Sequence, residues 1–502
     1  MRTTSARLQS YATISWREWL FVAVCFAVLA CVFVLVMSSS TSFLYHHPEV
    51  HDSAIFQVIG QRWLKGDLPY VDFWDLKGPY VFAVNALGYA LHDSPRGVML
   101  VQMAFLVASL LLLWRFFRDT FSIRSSAMLV GCVVVMLMQM ECDNNVEIYV
   151  LPFLIVAFRG LYRWVDCYDG QLTRKHPPQM AVFYGACLAL CLLNRLTDAT
   201  GIGLGVLFVA MMLAARRQWA DLLLNGCCFV CGMMLLLVPV WIYFHAHGAV
   251  GEWLDATMVT AAEYATNSTP LKAAGLGGAV NFVKAFFPCY ALVTVAALVF
   301  VKSQSRRLQA ALWLFVAGGQ LIWFLNSNRY AHYALVTVPY VCVIAAELKR
   351  YIQDHHPKKW VVNGVAATGF AFFLMCFVHE SLQAWHEMHS ESPRYAIYEK
   401  MMHLIPANER QQVAIYNGAP CFYLYFNNHP PCRYLVMNDL TIAQMPSLKD
   451  HICEDLEKRQ PLWMIVEGFP TQIDDCLMRF YVLHAMMENQ HLKLYRLKNV
   501  KE

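Results

Sequence analysis

Trp19-Leu-Phe-Val-Ala-Val-Cys-Phe-Ala-Val-Leu-Ala-Cys-Val-Phe-Val-Leu-Val36 runs without a single charged side chain. A helix needs roughly 20 apolar residues to cross the hydrocarbon core of a bilayer, so this stretch reads as a membrane span. It is longer than the roughly 7–15-residue apolar core of a secretory signal. With Arg2, Arg7 and Arg17 ahead of it, it reads as an uncleaved signal anchor, although Ser38-Ser39-Ser40 behind it offers small residues for cleavage.

Ten more runs of this kind follow, at about 97–117, 125–140, 148–164, 180–195, 200–215, 221–244, 285–301, 308–325, 331–347 and 360–378. The fold class is therefore an α-helical polytopic membrane protein with about eleven transmembrane helices. Composition agrees: of 502 residues 58% are hydrophobic and only 15% charged, against roughly a quarter charged in soluble domains. The net charge of +4 gives no sign of nucleic-acid binding. Most of the 17 Cys, such as Cys187, Cys191, Cys227, Cys228 and Cys231, lie inside apolar runs, where Cys packs as a small hydrophobe.

Lys and Arg in short loops mark the cytoplasmic side. With the N-terminus cytoplasmic, that side collects Arg115, Arg118 and Arg124, then Arg163, Arg174 and Lys175, then Arg216 and Arg217, then Lys302, Arg306 and Arg307, and finally Lys349, Arg350, Lys358 and Lys359. The opposite turns are poor in positive charge: 141–147 has none and 326–330 has only Arg329. Segments 38–96, about 246–284 and the tail then fall outside. The chain divides into a transmembrane domain, 1–380, and a tail, 381–502. In the tail, short apolar runs (Val413–Tyr416, Trp463–Val466) alternate with polar helix-like stretches (Ser447–Lys458), which predicts a small α/β domain on the outer face, its sheet covered on both sides. Cys421 and Cys432 are a candidate bridge there if the surroundings are oxidising.

The first outer loop, 38–96, concentrates polar chemistry. Ile55, Phe56, Ile59 and Trp63 recur at helical spacing, which predicts an amphipathic helix in the membrane interface. Gly66 and Pro69 end it, and Pro79 starts a second short helix. Asp52 at the head of the first helix is either an N-cap or a carboxylate base for an incoming hydroxyl. Lys77, behind Asp72 and Asp75, is either a snorkelling side chain or a point charge for a phosphate.

The string Asp52-Ser-Ala-Ile-Phe, followed by Gly66…Tyr70-x-Asp72-x-x-Asp75-x-Lys77-Gly78-Pro79, resembles the first loop of the GT-C superfamily. Those are polyprenyl-phosphate-dependent glycosyltransferases, and the likeness is to the bacterial branch of protein-mannosyltransferase-like, aminoarabinose-transferase-like and lipopolysaccharide galacturonosyltransferase-like enzymes. Asp143-Asn144-Asn145-Val146-Glu147 looks like that family's acidic second outer loop. Arg329-Tyr330-Ala331-His332-Tyr333 looks like its late outer-face Arg and His-Tyr pair. The resemblance covers about residues 15–380. It implies a polyprenyl-phosphate sugar donor and transfer to a glycan, lipid or protein acceptor at the outer face of a bacterial inner membrane. It further implies Asp52 as the catalytic carboxylate and Lys77 as a ligand of the lipid phosphate.

Inverting transfer needs a base for the acceptor hydroxyl and cations for the departing phosphate; Lys77, Arg62 and Arg329 are the candidates for the second task. Tyr70, Asp72, Asp75, Asp143, Glu147, His332 and Tyr333 are candidates for the substrate site. His46, His47, Glu49, His51 and Asp52 are zinc-ligand types, but neighbours in sequence rarely converge on one ion. No cofactor or metal ligand is assigned, and use of a divalent metal is left open. Arg195 and Asp198 form either a functional group near membrane depth or a local ion pair at a tight turn. No Gly-rich nucleotide loop is present. Asn267-Ser268-Thr269 is a glycosylation sequon given no role. The rival readings are a transporter or flippase of a lipid-linked or amphiphilic substrate, and a scaffold whose tail binds a partner. The first would show an internal repeat and charges or broken helices at mid-span; no repeat is visible, charges and breaks at mid-span are few, and the polar residues concentrate on one face.

Overall fold

The computed structural model describes residues 15–48, 50–167, 175–267, 286–325, 330–390, 392–468, 470–487 and 492–498. Arg329, Glu49 and the last two residues of the sequon lie outside them.

Each apolar run of the sequence is a helix. The first, α1 (Trp16–Met37), opens with a capping box: the Ser15 hydroxyl accepts from the Glu18 N–H, and Glu18 accepts in return from the Ser15 N–H at 2.9 Å. Next come α2 (His51–Leu64) and α3 (Pro79–Leu91) in the first loop. Then follow α4 (Pro95–Phe117), α5 (Ile123–Gln139), α6 (Val146–Asp166), α7 (Pro178–Leu192), α8 (Thr200–Ala215) and α9 (Trp219–Ala246). The later helices are Phe287–Lys302, Arg307–Leu325, Tyr340–His355 and Lys359–His389.

Among the described residues, seven helices are long and apolar enough to cross a membrane, and the pair Ala331–Thr337 and Tyr340–His355, bent by 54°, is so only when its two parts are taken together. The other three expected spans, α5, α7 and Phe287–Lys302, have 17, 15 and 16 residues, short of a full straight crossing. The count of about eleven therefore holds for apolar helices, and fewer of them reach spanning length.

Helix α6 lies at the centre, with Tyr149, Leu151, Ile155, Phe158 and Leu161 buried. By contrast, α9 and Lys359–His389 leave Leu235, Ile242, Val365, Phe370 and Met375 exposed. Apolar surface of that kind, on helices that satisfy their own backbone, is what lipid requires. At one end of the bundle the basic residues are knitted together. Arg306 pairs with Asp166 and Glu347, Arg350 pairs with Asp166, and Arg159 holds Asp119 at 2.7 Å. These are the Lys/Arg-rich turns that the charge pattern groups on one side.

The tail carries a four-stranded sheet of β1 (Val413–Tyr416), β2 (Trp463–Glu467), β3 (Tyr481–Met487) and β4 (Leu492–Leu497) in the order β1-β2-β4-β3. The β1–β2 pair is parallel and the other pairs are antiparallel. Both predicted strands are present and fully covered. Val413, Ile415, Trp463 and Ile465 face the core shared with the helices, while Ala414, Tyr416, Met464 and Val466 face the tail's own helices. The domain's cystine is Cys453–Cys476, joining Leu448–Arg459 to Asp474–Phe480; Cys421 and Cys432 are free and buried. The expected 421–432 bridge is not formed: Cys421 packs into the core shared with the helices and Cys432 into the tail's own core.

The first loop also departs from expectation. Helix α2 does not lie bare in an interface: Ser53 to Gly60 are all buried. Helix α3 covers one side and the tail's short helix Cys421–Tyr425 another. The approach of α2 to α3 is close enough that a Cβ on Gly60 would stand 2.7 Å from the Ala86 amide nitrogen.

Candidate active site

The N-cap of α2 is Val50, an extended residue that offers no capping side chain. Asp52 is the second residue of the helix, inside its first turn and past the cap position, so the capping reading of Asp52 does not hold. Ser53 does not cap either. Its hydroxyl is buried and accepts from Gln57 Nε2 at 3.1 Å and from Asn144 Nδ2 at 2.9 Å, tying α2 to the 141–145 turn. Asn144 also donates to Asn85 Oδ1 at 2.9 Å and accepts from the Tyr149 hydroxyl. With its neighbour anchored in this way, Asp52 projects to the other side.

Lys77 reaches Asp52 from the far end of the loop, with Nζ 3.6 Å from Asp52 Oδ2. The segment is held at several points. The Lys77 N–H donates to Asp75 Oδ1 at 2.8 Å, and the Tyr70 hydroxyl donates to the Lys77 carbonyl at 2.8 Å. The Gly78 N–H donates to the Asn194 carbonyl at 2.7 Å and the Tyr80 N–H to that of Leu193 at 3.0 Å. Only glycine fits at 78, since a Cβ there would lie 2.1 Å from the Leu193 carbonyl oxygen.

Asp52 and Lys77 face a cavity of about 740 Å³ at the end of the bundle away from the Arg/Lys clusters. Its walls come from the end of α1, the 141–145 turn, the 330–333 segment, Lys359–His389 and the tail. Asp75, Asp143, His332 and Tyr333 join Asp52 and Lys77 on this wall, with Trp74, Tyr264 and Tyr330. Asp52 keeps 40% of its side chain accessible, although protein surrounds it.

Burial alone would push the Asp52 carboxyl up, but Lys77, then His332, His51 and Arg195, outweigh it and hold Asp52 below the ordinary carboxylate range. Lys77 shows the converse. Burial disfavours its charge, yet Asp52 and Asp75 raise it above the usual lysine value. Asp75 is pushed up by burial against the pull of Lys77, and Asp143 by burial against its hydrogen bonds from Ser38 and the Asn144 N–H. The wall thus presents an ionised carboxylate and a firmly charged ammonium side by side.

Other predicted residues sit elsewhere. Arg62 does not line the cavity: it closes on Asp67 at 2.6 Å in the last turn of α2. Its guanidinium is thus placed in a local ion pair, away from the cavity lining. Asp72 accepts from the Leu68 N–H at 2.8 Å, and Tyr70 is fully buried at a positive φ of 71°; both shape the loop and neither lines the cavity. Glu147 is buried behind the wall and pairs with Arg195 at 2.7 Å. Among the described residues no three His, Cys, Asp or Glu side chains converge as metal ligands, so His46, His47, His51 and Asp52 do not form such a set.

The block that sequence reading left open is the one around Arg195. This guanidinium bonds Asp198 at 2.6 Å as well as Glu147, and lies 3.6 Å from the centre of the Tyr333 ring. It therefore backs the wall on which Tyr333 stands and adds positive potential at Asp52. Ionisable residues between two apolar runs were the signal for it. Glu380, Gln383 and Glu387, which line the cavity from the last long helix, carried no such signal.

The architecture is a polytopic helical domain whose first loop packs against the bundle and against the tail's mixed α/β domain at the cavity end. Among solved structures, ArnT from Cupriavidus metallidurans in the apo state matches over 95% of this chain and 98% of its own, at a TM-score of 0.58 and 12% identity. The same protein bound to undecaprenyl phosphate matches over 96% and 98%, at 0.54 and 11% identity. A weaker likeness, at a TM-score of 0.47 and 13% identity over 89% of this chain and 68% of that one, is to the Archaeoglobus fulgidus oligosaccharyltransferase in complex with Zn and sulfate. No protein-family model and no curated protein matches the sequence.

Proposed function

We propose that this protein is a membrane glycosyltransferase. It moves a sugar, a hexose or pentose, from a polyprenyl-phosphate donor to a glycan, lipid or protein acceptor at the cavity end, with inversion. The observation that carries the reading is the pairing of Asp52 with Lys77 on the cavity wall, 3.6 Å apart, on loop residues that resemble the GT-C first loop. The fold shared with a protein solved with undecaprenyl phosphate supports it.

Asp52 takes the proton of the acceptor hydroxyl as that oxygen bonds the anomeric carbon. The bond from that carbon to the phosphate oxygen breaks, and polyprenyl phosphate leaves with the electron pair. Lys77 balances the growing negative charge on the phosphate, where a preorganised cation acts most strongly. A phosphate that engages Lys77 also draws the ammonium from Asp52. The carboxylate then becomes more basic when the donor is bound, which suits a general base. His332, Tyr333, Asp75 and Asp143 shape the space for sugar and acceptor, and Arg329 remains a candidate for the phosphate.

The cavity end is proposed as the outer, periplasmic face of a bacterial inner membrane, with the N-terminus in the cytoplasm. The basic clusters at the opposite end support this orientation, as does a cystine in the tail.

The test is release of free polyprenyl phosphate from a panel of radiolabelled polyprenyl-phosphate sugars by the purified protein in nanodiscs, wild type beside Asp52→Asn. Turnover in the wild type, and a loss of at least a hundredfold in a folded Asp52→Asn protein, is the expected result. Turnover that survives in Asp52→Asn would remove Asp52 as base. No turnover with any donor, with labelled lipid crossing proteoliposome membranes instead, would favour the transporter reading, with which the bent helix pair at 331–355 is compatible.

A further inference from the structure

Arg433 lies in the tail between β1 and β2 and does not line the cavity of Asp52. Even so, it grips the loop that carries Lys77 in two ways. Its carbonyl accepts from the Trp74 N–H at 2.9 Å. Its guanidinium donates twice to the Tyr70 carbonyl, from Nε at 3.1 Å and from Nη2 at 2.6 Å. Arg433 is itself fixed, because its N–H donates to Asp455 Oδ2 at 2.8 Å on the Leu448–Arg459 helix. Arg459 from that helix holds Asp455 at 3.0 Å and stands 4.0 Å from Asp72. The Trp74 and Tyr434 rings close the contact at 5.3 Å.

What Arg433 grips is a strained point. Tyr70 has φ 71°, a region that a bulky L-residue occupies only when its surroundings impose it. From Tyr70 the contact continues inward. Its N–H donates to the Phe73 carbonyl at 2.7 Å, and its hydroxyl to the Lys77 carbonyl at 2.8 Å. The Lys77 ammonium ends 3.6 Å from Asp52.

We propose that Arg433 is a positioning residue, through which the tail domain holds the 69–77 loop and thereby sets where Lys77 stands beside Asp52. The effect on turnover rests on the glycosyltransferase reading; the clasp does not. It assigns the tail a part in assembling the site, and it predicts that damage to this contact is felt first in the ionisation of Asp52.

The experiment uses full-length protein in nanodiscs and compares wild type, Arg433→Ala and Arg433→Lys. Arg496→Ala serves as a control in the same domain, since Arg496 pairs with Glu409 at 3.7 Å and does not touch the loop. Amide hydrogen exchange is read over a peptide spanning 66–78, and kcat and the donor KM are read against pH. In Arg433→Ala, loop exchange should rise about tenfold with the loss of charge-assisted hydrogen bonds. The acid limb of kcat should move up by about one pH unit as Lys77 retreats from Asp52. Arg433→Lys should recover part of both changes, and Arg496→Ala should alter neither. If Arg433→Ala does not fold, Arg433→Lys carries the same readings at smaller amplitude. Unchanged loop exchange would overturn the clasp, as would lost activity with an unmoved acid limb. A wild type without turnover would count against the transferase reading, while the exchange result would still decide the clasp.

Discussion

Replacing Gly78 by alanine tests the placement of Lys77 with the smallest possible change. The new Cβ would stand 2.1 Å from the Leu193 carbonyl oxygen, 2.3 Å from its carbon and 2.9 Å from the Asn194 nitrogen. All three are backbone atoms, so no side chain can swing aside. To reach the 3.4 Å of ordinary contact, the two backbone segments must part by about 1.3 Å. That movement stretches the Gly78-to-Asn194 and Tyr80-to-Leu193 hydrogen bonds, now 2.7 and 3.0 Å long, and displaces the adjacent Lys77. A misplacement of about 1 Å in a reacting constellation costs on the order of a hundredfold in rate, whereas overpacking of this kind costs about 1–3 kcal/mol of stability. Gly78→Ala should therefore fold, with a lower midpoint in a thermal unfolding assay, and release polyprenyl phosphate about a hundredfold more slowly. Turnover at the wild-type rate in Gly78→Ala would refute the idea that docking on the 193–194 turn places Lys77.

Removing the charge of Lys77 should shift the pH profile in a defined direction. Asp52 is held below the ordinary carboxylate value of about 3.9 because Lys77 and three weaker positive contributors offset its burial. Activity that needs ionised Asp52 is then retained to low pH and lost only as pH falls through that depressed value. In Lys77→Met burial prevails, so the acid limb of kcat should rise by about 1–3 pH units and the donor KM should increase; an unmoved limb would dissociate Asp52 from Lys77. In the tail, Cys453→Ser should lower the unfolding free energy by about 2–4 kcal/mol, read as the difference from oxidised wild type in thermal unfolding. Mass mapping should find Cys421 and Cys432 alkylated as free thiols in denatured, unreduced protein, and their recovery as a linked peptide would contradict the observed pairing.

The apolar runs, the two covered strands and the helices of the first loop were all legible in the sequence. Each is a local pattern: enough consecutive apolar residues to cross a bilayer, or a Gly or Pro at a position that stops or starts a helix. Asp52 and Lys77 were legible as a pair of residue types in one loop, with two readings each. What separated the readings was tertiary. Asp52 loses the capping role because Val50 holds the cap position, and Ser53 is committed to Asn144, a residue ninety-one positions away. Arg62 looked equivalent to Lys77 by charge, yet Asp67, five residues on, captures it. Glu147 and Arg195 lie far apart in sequence and meet only once α6 and the end of α7 are side by side.

Membrane insertion and the outline of the fold therefore follow from composition and periodicity, because the bilayer is a solvent that acts on every span in the same way. The identity of the site does not. It depends on which of several like charges is left facing the cavity after packing has paired the others, and on a clasp from a domain more than three hundred residues downstream of the loop it holds. Such long-range pairing is invisible in any local pattern, since a charge in sequence carries no record of its partner.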